Sequence, residues 1–206
     1  ARNPKIFQLL KQKALKLRNR WQLESSFTGG ADSNKTPVIG LVTQTLEEEM
    51  LPDERFDKYY SYAMHSYVDF IQSAGARVVP LIMSEPEEVT LEKLSKVNGV
   101  LFPGGDGDYL EYGEFVFNKI KEYNDNGVYY PAWGVCMGYE NMLSYVADDG
   151  WNVMGSYEMD YGSLELDFLV DPRDTQMFGQ LGNDAFFFED NAFTYNSHHW
   201  GVDPEL

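Results

Sequence analysis

Hydrophobic positions between residues 38 and 133 alternate between short runs typical of strands and longer segments with helical spacing. The strand-like runs are residues 38–43, 77–82, 99–102 and 128–133. The helical segments are residues 87–96, residues 109–124 and a face formed by Phe56, Tyr60, Ala63, Tyr67, Ile71 and Ala74. Gly75 follows that face and is typical of a helix C-terminus. This order predicts an α/β fold with a mostly parallel sheet flanked by helices on both faces.

The pattern changes after residue 150. Residues 163–170 alternate as an amphipathic strand, and residues 193–196 are predicted as another short strand. Phe186, Phe187 and Phe188 form a compact apolar run between them. We therefore expect antiparallel additions beside the parallel core in this part of the chain.

The first 36 residues differ from the rest of the chain. Residues 1–20 contain basic but no acidic side chains, and helical spacing relates Ile6, Leu10, Ala14, Leu17 and Trp21. A basic amphipathic helix over residues 1–24 fits a membrane surface, an acidic protein partner, a targeting segment or loose packing on the acidic body. Residues 25–37 are rich in Ser, Gly, Asp and Asn, which indicates a linker. We predict an arm and linker over residues 1–36 and one α/β domain over residues 37–206.

Composition excludes several classes of protein. The net charge of -17 makes direct nucleic-acid binding by the domain unfavourable, because an acidic body repels phosphate backbones. No apolar run approaches the roughly 18 residues of a transmembrane helix. The single cysteine, Cys136, excludes an internal disulfide framework and a multi-cysteine zinc site.

The segment around Cys136 carries the strongest chemical signal. Cys136 lies between Gly134 and Gly138, after a predicted strand and at the start of a predicted helix. This context is typical of a nucleophile elbow, a sharp turn in which the flanking glycines avoid collision. We expect the helix N-terminus to stabilise the thiolate and the Met137 amide to donate to an oxyanion. An inert buried thiol is the alternative interpretation, which the glycine context disfavours.

Two other segments supply groups that a cysteine nucleophile needs. Gly104 and Gly105 follow a predicted strand and suit the second half of an oxyanion hole, with an ordinary turn as an equal alternative. His198 and His199 are adjacent candidates for the base, whereas His65 lies within a predicted helix. Neither the histidines nor the Asp106-Gly107-Asp108 run completes a metal site, so we expect no metal and no cofactor.

Five segments share a pattern with a known family. They are PVIGLVTQ at residues 37–44, SYVDFIQSAGARVVPL at 66–81, NGVLFPGGDGD at 98–108, PAWGVCMGYE at 131–140 and YNSHHW at 195–200. Together they resemble the γ-glutamyl hydrolases, which belong to the class I glutamine amidotransferase-like superfamily. The resemblance extends over roughly residues 37–200.

The resemblance implies hydrolysis of γ-glutamyl bonds, as in folate polyglutamates, through a cysteine thioester. Cys136 matches the nucleophile, and the amides of Gly105 and Met137 match the oxyanion hole. His198 matches a histidine associated with catalysis and substrate, and Gly104 and His199 beside these groups are candidate substrate contacts. The resemblance also implies a homodimer in the lysosome, in the vacuole or outside the cell.

One departure from the family pattern bears on activity. The family carries its catalytic base in a Trp-His-Pro-Glu-like motif after the segment that matches YNSHHW, and the 206 residues contain no such motif. We expect the base and the last strand and helix of the fold to lie outside this sequence, or His198 or His199 to substitute. The alternatives are a catalytically impaired binding or structural subunit and the glutaminase half of an amidotransferase.

The sequence supports two cellular locations. Asn34-Lys35-Thr36 fits the N-glycosylation acceptor pattern and, with the family resemblance, favours a secretory route. The head of the chain, rich in Arg and Lys and without acidic residues, is also similar to a mitochondrial targeting segment.

Overall fold

A computed structural model describes residues 36–202. The predicted amphipathic arm at residues 1–24 and the acceptor asparagine, Asn34, lie outside the described residues. The predicted boundary between arm and domain at residue 36 also stays a prediction.

Eight strands and five α-helices are found within residues 36–202. In chain order they are β1 Val38–Val42, β2 Gln44–Thr45, β3 Ser61–Tyr62, α1 His65–Ser73, β4 Arg77–Leu81, α2 Glu87–Leu94, β5 Gly99–Phe102, α3 Leu110–Asp125, β6 Ala132–Gly134, α4 Met137–Ser144, β7 Met154–Leu164, α5 Phe187–Asp190 and β8 Thr194–Val202. Short 3-10 helices lie at Gly150–Val153, Pro172–Asp174 and Gly179–Phe186.

The central sheet is parallel and has the strand order β4-β1-β5-β6. Leu41 of β1 pairs with Leu101 of β5, and Phe102 of β5 pairs with Gly134 of β6. The carboxyl ends of these strands therefore meet at one edge, which is where parallel sheets place their sites. The predicted mostly parallel sheet is confirmed.

Alternating residues of the sheet feed two hydrophobic clusters, because successive strand side chains point to opposite faces. One cluster contains Val42, Val100 and Phe102 with Leu94 of α2 and Val116 of α3. The other contains Leu41 and Leu101 with Ile71 of α1. Helices thus cover both faces of the sheet, as the sequence predicts.

The first predicted helix is shorter than its apolar face suggests. Only its second half is helical, from His65 to Ser73, and Gly75 follows it with a φ of 83°. The first half is replaced by turns and by Ser61–Tyr62, which pairs antiparallel with Gln44–Thr45. The prediction of one helical face beginning at Phe56 is therefore wrong, because cross-strand pairing overrides the local periodicity.

The region after residue 150 contains a two-stranded antiparallel sheet of β7 and β8, which confirms the expected antiparallel additions. The predicted strand at residues 163–170 is displaced, since β7 ends at Leu164. By packing, residues 159–197 form one compact unit and residues 36–158 with 198–202 form another. Within the smaller unit, five phenylalanine rings contact one another: Phe168, Phe178, Phe187, Phe188 and Phe193.

Candidate active site

Cys136 lies on a sharp turn between β6 and α4. Its backbone has φ 50° and ψ -121°, a conformation that residues with a side chain rarely adopt. The residue directly precedes Met137, the first residue of the helix. This geometry is that of the nucleophile elbow the sequence predicts.

The two flanking glycines allow the turn to pack closely. A Cβ on Gly138 would lie 2.1 Å from the carbonyl oxygen of Phe102, so a side chain cannot fit there. A Cβ on Gly134 would lie 2.7 Å from the Cα of Tyr139. The Gly-x-Cys-x-Gly spacing is therefore required by contact between backbones at the sheet edge.

Opposing effects act on the thiol of Cys136. The residue is exposed overall, but neighbouring protein atoms desolvate the sulfur, and this is the largest cause raising its pKa. The carboxylates of Glu140 and Asp106 also raise the pKa, whereas backbone hydrogen bonds from Met137 and Gly105 lower it. The two amides act in the predicted direction, but burial and the two carboxylates outweigh them, so the pKa of Cys136 stays above its ordinary value.

Gly104 and Gly105 lie beside this sulfur at the end of β5. A Cβ on Gly104 would be 2.8 Å from the Cβ of Cys136 and 2.9 Å from the Tyr67 hydroxyl. Gly105 has a φ of 134° and hydrogen bonds Cys136 through its backbone. The structure thus brings the amides of Gly105 and Met137 to the same sulfur atom.

Two residues that the sequence did not single out hold the glycine turn. The N–H of Gly104 donates to the Tyr67 hydroxyl at 2.8 Å, and Gln44 Nε2 donates to the Gly104 carbonyl at 3.3 Å. The sequence could have indicated Gln44 as a residue near the site, because it is a polar residue just past the end of a predicted parallel strand. Tyr67 was hidden, since its spacing fits the apolar face of a helix.

Glu140 is a further group that the sequence did not single out. It lies in the first turn of α4, is 7% exposed, and has its pKa raised mainly by burial. Positive charge on His198, and to a smaller extent on His199, acts in the opposite direction. The structure therefore brings both predicted histidines near a buried carboxyl that itself acts on Cys136.

The two adjacent histidines differ in environment along β8. His198 is partly buried, and its Nδ1 atom is buried with no hydrogen-bond partner among the described residues. His199 is exposed. His65 is exposed at the start of α1, 3.4 Å from Asp69. The role of His198 as a base and those of Gly104 and His199 as substrate contacts stay predictions.

Residues 36–202 contain neither a metal-binding cluster nor a membrane-spanning helix. No cluster of three or more His, Cys, Asp or Glu side chains in this range is arranged to hold a metal ion. In the same range, no helix is long and apolar enough to cross a membrane.

Comparison with known proteins first identifies the class. Residues 37–126 match the family described as Peptidase C26. This match begins at β1 and ends after α3, so it covers the part of the sheet that carries the Gly104-Gly105 turn.

Individual relatives extend the similarity. γ-Glutamyl hydrolase B of Dictyostelium discoideum is 32% identical over 186 residues, covering 83% of this chain and 50% of the relative. γ-Glutamyl hydrolase 1 of Arabidopsis thaliana is 38% identical over 141 residues, covering 66% of this chain and 39% of the relative. γ-Glutamyl hydrolase of Rattus norvegicus is 32% identical over 186 residues, covering 87% and 56%. The chain belongs to the γ-glutamyl hydrolase family, and it spans about half the length of these relatives.

Proposed function

We propose that this chain hydrolyses γ-glutamyl bonds with Cys136 as the nucleophile, and that folate polyglutamates are among its substrates. The observation that carries the proposal is the sulfur of Cys136 on a strained elbow, contacted by the amides of Gly105 and Met137. The names of the relatives support the bond type, since each is a γ-glutamyl hydrolase. They give no support to the alternative of a binding or structural subunit.

The reaction proceeds through a thioester. Sγ of Cys136 bonds to the γ-carbonyl carbon, and the carbonyl electron pair moves onto oxygen, where the Gly105 and Met137 amides stabilise the negative charge. Collapse of this intermediate breaks the carbon–nitrogen bond, and the amine leaves with a proton. Water then adds to the thioester, the carbon–sulfur bond breaks, and the γ-carboxylate and the thiol are released.

The proton of the thiol needs an acceptor, because the raised pKa of Cys136 keeps the sulfur protonated at neutral pH. We propose His198 for this role, with transfer of the same proton to the leaving amine. The unpartnered Nδ1 of His198 and its proximity to Glu140 support the assignment. Glu140 would stabilise the imidazolium that forms, and Gly104 and His199 would contact the substrate.

The oligomeric state and the cellular location are proposed by analogy with the family. We propose a homodimer that reaches the lysosome, the vacuole or the cell exterior, with the mitochondrion as the alternative. For residues 1–24 we propose a protein or membrane-surface partner, because basic amphipathic segments favour anionic surfaces.

The test is release of glutamate from a folate polyglutamate by the 206-residue chain. Cys136→Ala should reduce release to the uncatalysed background, and His198→Ala should reduce kcat by about 10²-fold or more. His65→Ala is the matched control, because His65 is exposed and lies beside Asp69. Turnover that persists in folded Cys136→Ala would exclude the mechanism.

A second substrate distinguishes the glutaminase alternative. The proposed hydrolase should cleave γ-glutamyl peptides more efficiently than free glutamine, measured as kcat/KM for each. The reverse order of efficiency would favour the glutaminase half of an amidotransferase.

A further inference from the structure

Gln44 is a fully buried polar residue at the carboxyl end of the central sheet, with 0% of its surface exposed. It lies just beyond β1, and Gly104 lies just beyond β5. Because Leu41 pairs with Leu101, the two positions fall at the same level of the sheet edge. Burial of an amide side chain is unfavourable unless its polar atoms are hydrogen-bonded, so its contacts indicate what it does.

The nitrogen of the Gln44 side chain makes two hydrogen bonds. Nε2 donates to the Gly104 carbonyl at 3.3 Å and to the Tyr62 hydroxyl at 3.2 Å. Tyr62 in turn donates its proton to Glu47. Burial and the Glu47 contact raise the pKa of Tyr62, so its hydroxyl keeps that proton and accepts from Gln44. This series of hydrogen bonds determines that the nitrogen end of the Gln44 amide faces Gly104.

The planarity of the peptide bond links the hydrogen bond between Gln44 and Gly104 to the orientation of an amide in the active site. The Gly104 carbonyl and the Gly105 N–H belong to one planar trans peptide, in which the two groups point in opposite directions. A donor that fixes the carbonyl therefore also fixes the direction of the N–H. In the structure the Gly105 backbone hydrogen bonds the Cys136 sulfur, on the other side from Gln44.

The other polar atom of Gln44 does not contribute to stability. Oε1 is buried and has no hydrogen-bond partner among the described residues. A buried acceptor without a partner is unfavourable. Gln44 also occupies the space beside Gly105, where a Cβ would lie 2.7 Å from both Nε2 and Oε1. These features indicate that Gln44 serves to align the neighbouring Gly104–Gly105 peptide rather than to stabilise the fold.

We propose that Gln44 is a positioning residue that holds the Gly104–Gly105 peptide with its N–H directed at the Cys136 sulfur. The catalytic consequence rests on the proposed function, since the same N–H then stabilises the oxyanion of the γ-glutamyl intermediate. The alignment itself does not depend on the substrate.

The first test is alkylation of the single cysteine by iodoacetamide as a function of pH, in the full chain and in Gln44→Met. Methionine has a similar shape but cannot donate a hydrogen bond to Gly104. The Gly105 hydrogen bond lowers the pKa of Cys136, so its misalignment should move the midpoint of the alkylation profile to higher pH. Glu140 and Asp106, which also act on the thiol, are unchanged in this variant.

The second readout is turnover of a γ-glutamyl substrate. Gln44→Met should lower kcat by about 10- to 100-fold and leave KM within about twofold, because the lost interaction is made in the transition state. If the unmodified chain shows no turnover, the proposed function fails. The alkylation profile then still decides whether Gln44 aligns the peptide.

Two further variants separate alignment from general stability. Thr90→Val removes the hydrogen bond of another fully buried polar side chain, to Tyr112, and should leave the alkylation profile unchanged. Tyr62→Phe retains Gln44 but removes its second acceptor, so it should shift the profile in the same direction by a smaller amount. An unshifted profile in folded Gln44→Met, or in Tyr62→Phe if Gln44→Met does not fold, would overturn the proposal.

Discussion

The Cys136 elbow and the Gly104-Gly105 turn lie side by side but are held in different ways. The elbow is local, since Gly134, Cys136 and Gly138 lie within one short segment. The turn is held by distant residues, because the hydrogen-bond partners of Gly104 are Gln44 and Tyr67. One amide at the sulfur therefore comes from local chain geometry, and the other depends on tertiary contacts.

The two sites also differ in what surrounds them. Gly138 packs against the carbonyl oxygen of Phe102, which belongs to the backbone of a central strand. Gly105 packs against the side chains of Gln44 and Met64. A backbone neighbour cannot move without distorting the sheet, whereas a side chain can adopt another rotamer. We therefore expect substitutions in the elbow to reduce mainly the stability of the fold, and substitutions in the turn to reduce mainly the activity.

Substitution of Gly138 should give the largest loss of stability. In Gly138→Ala the new Cβ would lie 2.1 Å from the Phe102 oxygen, which forces α4 away from β5. We expect a loss of about 3 kcal/mol in the free energy of unfolding, measured by urea denaturation. The control is Gly127→Ala, whose φ of 81° is unfavourable but whose Cβ would meet no atom within 4 Å. It should cost about 1 kcal/mol, and equal losses in the two variants would contradict the steric argument.

Substitution of Gly105 should reduce stability less than substitution of Gly138 does, and should reduce activity strongly. Gly105→Ala imposes a side chain at a φ of 134° and displaces Gln44, so the Gly105 amide loses its direction. We expect about 2 kcal/mol of destabilisation but a fall in kcat of about 100-fold. Urea denaturation and γ-glutamyl turnover measure the two quantities. A larger stability loss in Gly105→Ala than in Gly138→Ala would contradict the proposed difference between the turn and the elbow.

Removal of the Tyr67 hydroxyl should have an intermediate effect. Tyr67→Phe leaves the Gly104 N–H without its acceptor, which we expect to cost about 1 to 2 kcal/mol. The looser turn should also shift cysteine alkylation to higher pH. Tyr112→Phe serves as the control, since its hydroxyl contacts Thr90 and not the turn. A shift of the alkylation profile in both variants would show that the effect is not specific to the turn.

Neutralising Glu140 should have the smallest effect of these substitutions. It should shift cysteine alkylation in the direction opposite to the shift expected for Tyr67→Phe. Its carboxylate raises the pKa of Cys136, so Glu140→Gln should move cysteine alkylation to lower pH. Glu92→Gln, on the exposed side of α2, is the control and should leave the profile unchanged. A shift to higher pH in Glu140→Gln would show that the Glu140 carboxylate does not raise the pKa of Cys136.

Glu140 also links stability to pH. Burial raises its folded-state pKa, so the folded protein holds this proton more tightly than the unfolded chain does. The wild type therefore loses stability relative to Glu140→Gln as pH rises from the unfolded pKa through the raised folded pKa. The difference in unfolding free energy, measured by urea denaturation, should grow as pH rises above the ordinary glutamate value of 4.5 and stop growing above the raised folded pKa. A difference that shrinks over this range would show that charge on His198 and His199 outweighs burial.

Local patterns predicted the elements that depend on nearby residues. Residues 99–102 form β5 with the predicted bounds, and Gly75 ends α1 with a positive φ. The elbow at Cys136 was also predictable, because its signature, a cysteine between two glycines after a predicted strand, lies in contiguous residues. Where pairing between strands decided the outcome, the prediction failed. Ser61 and Tyr62 are in a strand although their surroundings have helical spacing.

The sequence by itself determined the parallel α/β core and the position of the cysteine, since strand–helix alternation and a Gly-x-Cys-x-Gly turn are properties of contiguous residues. Only the tertiary structure decided what surrounds the sulfur. The sheet register places Gln44 beside Gly104, and packing buries Glu140 near His198. Packing likewise raises the pKa of the Cys136 thiol. These properties depend on which distant residues meet and how much water they exclude, and contiguous sequence does not specify either.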